Sequence, residues 1–168
     1  TSKRQAIEKQ ALAELDGKDP ELAYEAGLLL AELYTREEKY AKATAVHDRL
    51  VRLRPQDPER LAELALSQRR SGRADAAMET LERLMALDPK RSADVLAELA
   101  EVAFESGDVE RVLTAASKAE LGGAEGARVL VRIGELYERR GEPDEAAKLY
   151  AGLVQRDPND ALARLRLA

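Results

Sequence analysis

The side chains able to do chemistry are few in kind. The chain has one histidine, His47, and no cysteine. Thiolate nucleophiles, disulfides and Cys/His metal sites are therefore excluded, and a metal held by His47 would need carboxylates for all its other protein ligands. Carboxylates are abundant, and Glu98, Glu101 and Glu105 recur at spacings that put them on one helical face. Two of them could trade a proton with a substrate if one had a raised pKa, but nothing adjacent in sequence prepares such a shift, and the row reads as a solvated face. Gly122-Gly123-Ala124-Glu125-Gly126 lacks the Lys-Ser/Thr of a phosphate-cradling loop and follows a helical pattern, not a strand, so it reads as a connector. Arg69-Arg70 with Arg73, and Arg139-Arg140, flank Gly72 and Gly141 where helices should end, and positive charge there offsets the helix dipole. No convergent set of acid, base and nucleophile emerges. The expectation is a non-enzyme without cofactor or metal.

The elements that carry these residues follow from composition and period. Of the 168 residues, 45% are hydrophobic and 35% charged, with five Tyr, one Phe and no Trp, an Ala/Leu-rich balance that favours helices over aromatic-rich sheets. A net charge of -5 and a pI near 5.2 remove the broad basic field that phosphate backbones require, so nucleic acid is not expected as a partner. The longest apolar run, Ala26 to Ala31, is far below the roughly 20 residues of a membrane-spanning helix. The opening Thr1-Ser2-Lys3-Arg4-Gln5 runs into a helical pattern with no apolar signal segment. No feature fixes a compartment; the cytoplasm is favoured over the periplasm.

Turn-like sites fall at Glu38, Gly72, Gly107 and Gly141, with separations of 34, 35 and 34 residues. Eight positions before each stands a large apolar residue (Leu30, Leu64, Leu99, Ile133), and seven before stands a small one (Ala31, Ala65, Ala100, Gly134). Five positions after come Ala43, Ala77, Val112 and Ala146; nine after, His47, Leu81, Ala116 and Tyr150; twelve after, Leu50, Leu84, Ala119 and Leu153. These offsets recur at helical spacing, so each unit has one apolar face on either side of its turn. Pro55, Pro89 and Pro158 close three of the four units. Asp19-Pro20, Asp57-Pro58 and Asp157-Pro158 place a capping Asp before a first-turn Pro, and Ser92 with Asp94 is expected to open the remaining first helix in the same way. Small residues on both helices should let their backbones approach, with the leucines filling the groove beside them.

The pattern resembles the tetratricopeptide repeat family: Leu then Gly/Ala, Tyr34 and Tyr137 three residues on, Tyr40 after the first turn, and the turn segments Gly72-Arg73-Ala74-Asp75-Ala76-Ala77 and Gly141-Glu142-Pro143-Asp144-Glu145-Ala146-Ala147. It departs from the family at Glu38, which replaces the first turn Gly, at Gln68 and Ala103, which replace the Tyr, and in the third unit, which ends in Leu121-Gly122-Gly123-Ala124. The resemblance implies an all-α, right-handed α-α superhelix of about ten helices in one repeat domain, 1–168. Its parts would be a trailing half repeat (1–20), full repeats at 24–57, 58–92, 93–126 and 127–160, and the start of another at 161–168, as in a piece of a longer bacterial-type array.

The resemblance further implies that the first helix of each repeat lines a concave groove that holds a protein or peptide. By register, the groove is given by Glu25, Leu28, Leu29, Glu32 and Arg36; by Glu59, Ala62, Glu63, Leu66, Arg69 and Arg70; by Asp94, Ala97, Glu98, Glu101, Phe104 and Glu105; and by Arg128, Val131, Arg132, Glu135, Glu138 and Arg139. The first three repeats contribute eight acids and three bases and the fourth two acids and three bases, which suits a partner carrying a basic segment. Phe104 would serve either as an anchor or as packing between helices. The family's carboxylate-gripping mode is not expected, because the corresponding sites hold Leu28, Glu32, Glu63, Asp94 and Glu98. The expected function is a protein-interaction scaffold. Self-association into homo-oligomers, or a substrate-positioning appendage of an enzyme, are the alternatives.

Overall fold

A computed structural model describes the chain at residues 2–118, 123–156, 158–159 and 161–167. Every regular element among the described residues is helical, and the chain divides into two compact units. Unit 1 (Thr1–Leu87) contains α1 (Ser2–Leu15), α2 (Pro20–Arg36), α3 (Tyr40–Leu53), α4 (Pro58–Arg70) and α5 (Ala74–Leu87), each packed on the next in chain order. Unit 2 (Asp88–Ala168) opens with a 3-10 turn at Pro89–Arg91. It continues with α6 (Ser92–Ser106), α7 (Val109–Lys118), α8 (Gly123–Arg140), α9 (Pro143–Arg156) and α10 (Ala161–Leu167). There α8 packs on both α6 and α7, and α9 on α8 and α10.

The predicted registers fill the interior of each unit. In unit 1, Leu30, Ala31, Ala43, Leu50, Leu64, Ala65, Ala77, Leu81 and Leu84 are buried, and Ala11 and Leu15 of α1 join Tyr34 and Val46 in the same cluster. In unit 2, Leu99, Ala100, Val112, Ile133, Ala146, Tyr150 and Leu153 take the equivalent places, whereas Ala119 lies outside the described residues. Each buried Leu or Ile contributes roughly 1.5–3 kcal/mol relative to its exposed state. The smallest member of its register, Gly134, is required: a Cβ there would lie 2.5 Å from the ring of Tyr150, which is fully buried.

The turns confirm the period in backbone terms. Gly72, Gly107 and Gly141 have φ of 77°, 85° and 77°, and Glu38 shares this left-handed conformation at φ 57°. At three of the four sites the following amide reaches five residues back, Lys39 N to Tyr34 O, Arg73 N to Gln68 O and Glu142 N to Tyr137 O, each at 2.9 Å, closing the orphan carbonyls of the helix end. Asp19 accepts hydrogen bonds from the amides of Glu21 and Leu22, and Asp57 from those of Glu59 and Arg60, with Pro20 and Pro58 as first helical residues. Two start signals and one connector act differently from expectation. Ser92 is the first residue of α6 and not its cap, because the preceding 3-10 turn delivers the chain at Arg91 already turning. Pro158 stands in a turn and α10 starts at Ala161, with Asp157 outside the described residues. The glycine-rich stretch read as a connector supplies, from Gly123 to Gly126, the first turn of α8, and Gly122 lies outside the described residues.

Gln68, which stands where the family favours Tyr, is buried, and its side-chain oxygen accepts a hydrogen bond of 2.8 Å from Thr80 on α5. Beside it, Thr44 of α3 and Ser67 of α4 share a buried hydrogen bond of 2.8 Å. The joint from α3 to α5 thus has a polar seam with its groups satisfied, as burial demands.

Candidate functional site

In unit 1 the candidate residues lie on the first helices, α2 and α4. Glu25, Glu32, Glu59 and Glu63 are exposed, Leu28 and Arg69 half-buried, and Leu29 and Leu66 remain 61% and 40% exposed. Leu28, Glu32 and Glu63 come together around a concavity of about 280 Å³, whose lining is completed by Ala31, Thr35 and Arg36 of α2, His47 of α3 and Arg60 of α4. Leu66 lines a smaller crevice with Tyr40, Ser67, Arg70 and the shared residues Thr35, His47 and Glu63. Glu25, Leu29, Glu59 and Arg69 lie outside both linings.

His47 forms the floor. It is buried, and its Nδ1 has no hydrogen-bond partner, so the local hydrogen bond that a packing imidazole would ordinarily make is absent. Burial holds its pKa below the usual histidine value; the Glu63 carboxylate opposes that shift and the Arg60 guanidinium adds to it. The ring is therefore neutral at pH 7. On the walls, Arg36 pairs with Glu32 at 2.7 Å, and Arg60 Nε leans toward Asp57 at 3.8 Å. Glu63 has neither an ion pair nor a hydrogen bond among the described residues.

In unit 2 the same register is engaged within the chain. Asp94, Glu98 and Glu105 of α6 and Arg128 of α8 are exposed. Glu101, Arg132 and Glu135 are half-buried: the Arg132 guanidinium pairs with Glu101 on α6 and with Glu135 at 3.3 Å, and Arg166 of α10 pairs with Glu135 at 2.5 Å and Glu138 at 3.4 Å. Phe104 is half-buried, with the Arg139 guanidinium 6.0 Å from its ring centre, within cation–π range. Val131, expected to project into the groove, is buried: α8 packs on three helices, α6, α7 and α9, where α2 packs on α1 and α3 and α4 on α3 and α5.

Arg60, Thr35 and Arg166 escaped the sequence reading. Arg166 carried a signal, since it stands 34 residues after Arg132; Thr35 and Arg60 carried none, because only packing turns them toward the concavity. Among the described residues no three His, Cys, Asp or Glu gather in a way that could hold a metal ion. Nor, among the described residues, is any helix long and apolar enough to cross a membrane.

Two family models, each described as tetratricopeptide repeat, match residues 30–112 and 127–168, together most of the chain. No curated protein sequence matches it closely enough to count as a relative. Solved structures match its fold. A crystal structure of MamA is 20% identical, with 82% of this chain and 80% of that one covered and a TM-score of 0.57. YrrB, described as a TPR protein with an unusual peptide-binding site, is 18% identical over 96% of this chain and 84% of that one, at 0.58. A tetratricopeptide repeat protein from Parabacteroides merdae is 19% identical over 85% of this chain and 57% of that one, at 0.57. At these identities the likeness is one of fold.

Proposed function

We propose that this chain, which belongs to the tetratricopeptide-repeat family, is a non-catalytic protein-interaction scaffold that holds a peptide or protein segment against the first helices of its repeats. The observation that carries this reading is the outer face of α2 and α4. Leu29 and Leu66 stand exposed there among Glu25, Glu32, Glu59 and Glu63, beside the concavity floored by His47. Apolar side chains set among carboxylates, with Arg36, Arg69 and Arg70 at the C-terminal ends of the same helices, suit a partner segment with apolar contacts and basic residues, the charges setting encounter and orientation and the buried apolar contacts holding it. That YrrB is described as having a peptide-binding site supports the choice of partner class. In unit 2, Asp94, Glu98, Glu105, Arg128 and Phe104 are the residues offered to a partner, while Glu101, Arg132 and Glu135 support the face from within.

The test is charge reversal at two exposed positions, Glu32→Lys with Glu63→Lys, in the full chain. Capture of a peptide selected on the wild-type chain should fall while the thermal melt is unchanged. Equal affinity for both proteins would discard the first-helix face as the binding surface.

Self-association is favoured by a different observation. Leu165 and Leu167 on α10 are 73% and 43% exposed, and Ile7 and Leu12 on α1 are exposed as well, which is apolar surface of the kind that seeks cover. Light scattering over a concentration series decides it: a constant monomer mass eliminates this second reading.

A further inference from the structure

The registers of the two units differ in one charge. In unit 2 the sixth residue before the turn, Glu101, is met by the ninth residue before the next turn, Arg132, and the arrangement repeats one period on, where Arg166 meets Glu135. Unit 1 has the same two positions, Glu32 and Glu63, but both are acids. Both line the concavity between α2 and α4. Arg36 lies with Glu32 on the exposed side, and Arg60 is drawn to Asp57, which leaves Glu63 as the unmatched charge. The cation that unit 2 supplies at this register is missing here, beside a hollow in the first-helix face; the two arginines of its lining, Arg36 and Arg60, lie toward Glu32 and Asp57.

We propose that this hollow receives one arginine side chain of the bound partner segment, whose guanidinium sits against Glu63 and Glu32 as Arg132 sits against Glu101. The inference rests on the first-helix face being the binding surface. A guanidinium is suited to it because its planar donors can serve two carboxylates at once, which a compact ammonium does less well. Leu28 and Ala31 give the aliphatic stem an apolar wall. At about 280 Å³ the hollow falls just under the range of small-molecule sites and has room for one long side chain. The neutral imidazole of His47 adds no opposing charge at its floor.

His47 is the single histidine, so its imidazole resonances are unambiguous and report on the hollow and the crevice that adjoins it. Peptides would be selected from a random twelve-residue library on the full chain at low salt, then measured against the wild type, Glu63→Gln and Glu32→Gln. Both changes are at exposed positions and leave the core intact. The expected result is a selected peptide with one arginine whose replacement by citrulline weakens binding about tenfold or more, the loss typical of a charged hydrogen bond, and shifts the His47 resonances less. Against Glu63→Gln the same replacement should cost little. Selected peptides that bind without arginine, bind equally with citrulline, or leave the His47 resonances unmoved would overturn the arginine pocket while the scaffold reading stands. Failure to select any peptide that depends on the first-helix face would overturn both.

Discussion

Glu38 stands in the left-handed region, at φ 57°, where the three other repeats have glycine. For an L-residue with a Cβ this conformation costs roughly 1–2 kcal/mol, from contact with the following carbonyl. The side chain returns nothing that offsets it: Glu38 is exposed and makes no side-chain hydrogen bond or ion pair among the described residues. Glu38→Gly should remove the strain and keep the bonds from Glu38 N to Thr35 O and Lys39 N to Tyr34 O. Glycine's greater freedom in the unfolded chain takes back about 0.4–1 kcal/mol, so a net gain of about 0.5–1 kcal/mol is expected. For a domain of this size that is a rise of roughly 1–4 °C in melting temperature. Thermal unfolding followed by circular dichroism reads it directly. Two controls separate backbone strain from charge: Glu38→Ala keeps the Cβ and should gain little, and Gly72→Ala should introduce the same strain and lower the melt. If Glu38→Gly fails to stabilise, or Glu38→Ala stabilises equally, the strain argument is wrong.

Gly134→Ala should destabilise by roughly 1–3 kcal/mol, the usual cost of an over-packed interior, because its Cβ would meet the buried Tyr150 ring. Adding Tyr150→Leu should recover much of that, since Ala65 and Leu81 occupy the same two registers in unit 1; a double variant as unstable as the sum of the singles would contradict the account. The lowered pKa of His47 means that the unfolded chain binds the proton first. Its contribution is therefore present above about pH 6.5, the ordinary histidine value, and is lost as pH falls below that. His47→Phe should flatten this part of the stability profile between pH 7 and 5. Tyr34 donates a 2.8 Å hydrogen bond to Glu8, and burial, with that bond, pushes its pKa up to about 12. Its contribution is full below pH 10 and is lost as pH rises from 10 toward 12; an alkaline urea-unfolding series of wild type and Tyr34→Phe that ran parallel would refute this.

Period and burial were readable in advance because both depend on residue size recurring along one chain. Leu30, Leu64, Leu99 and Ile133 were found by counting, and each is buried where the count put it. Pairings across helices were not readable, because they depend on which neighbour a side chain meets. Glu101 and Glu32 look equivalent in sequence, each the sixth residue before its turn, yet Glu101 is bound by Arg132 from the next first helix and Glu32 by Arg36 of its own. Gly123 to Gly126 reads as a connector because glycine has low helix propensity, about 1 kcal/mol per residue, which is a weak prior; the stretch forms the first turn of α8. Gln68 was legible only as a departure from the family. Its reason, Thr80, stands twelve residues away on the next helix.

The seam that joins Thr44 to Ser67 and Thr80 to Gln68 bears on how such arrays diversify. Joints made only of alanine and leucine fit almost any neighbour of the right volume, so repeats carrying them can be duplicated or exchanged with little penalty. A joint that hides an amide and three hydroxyls admits only the complementary set, since each lost partner strands a polar atom away from water. The second repeat is for that reason not a spare part. Transplanting it elsewhere in the array would require Thr44 and its surroundings to travel with it.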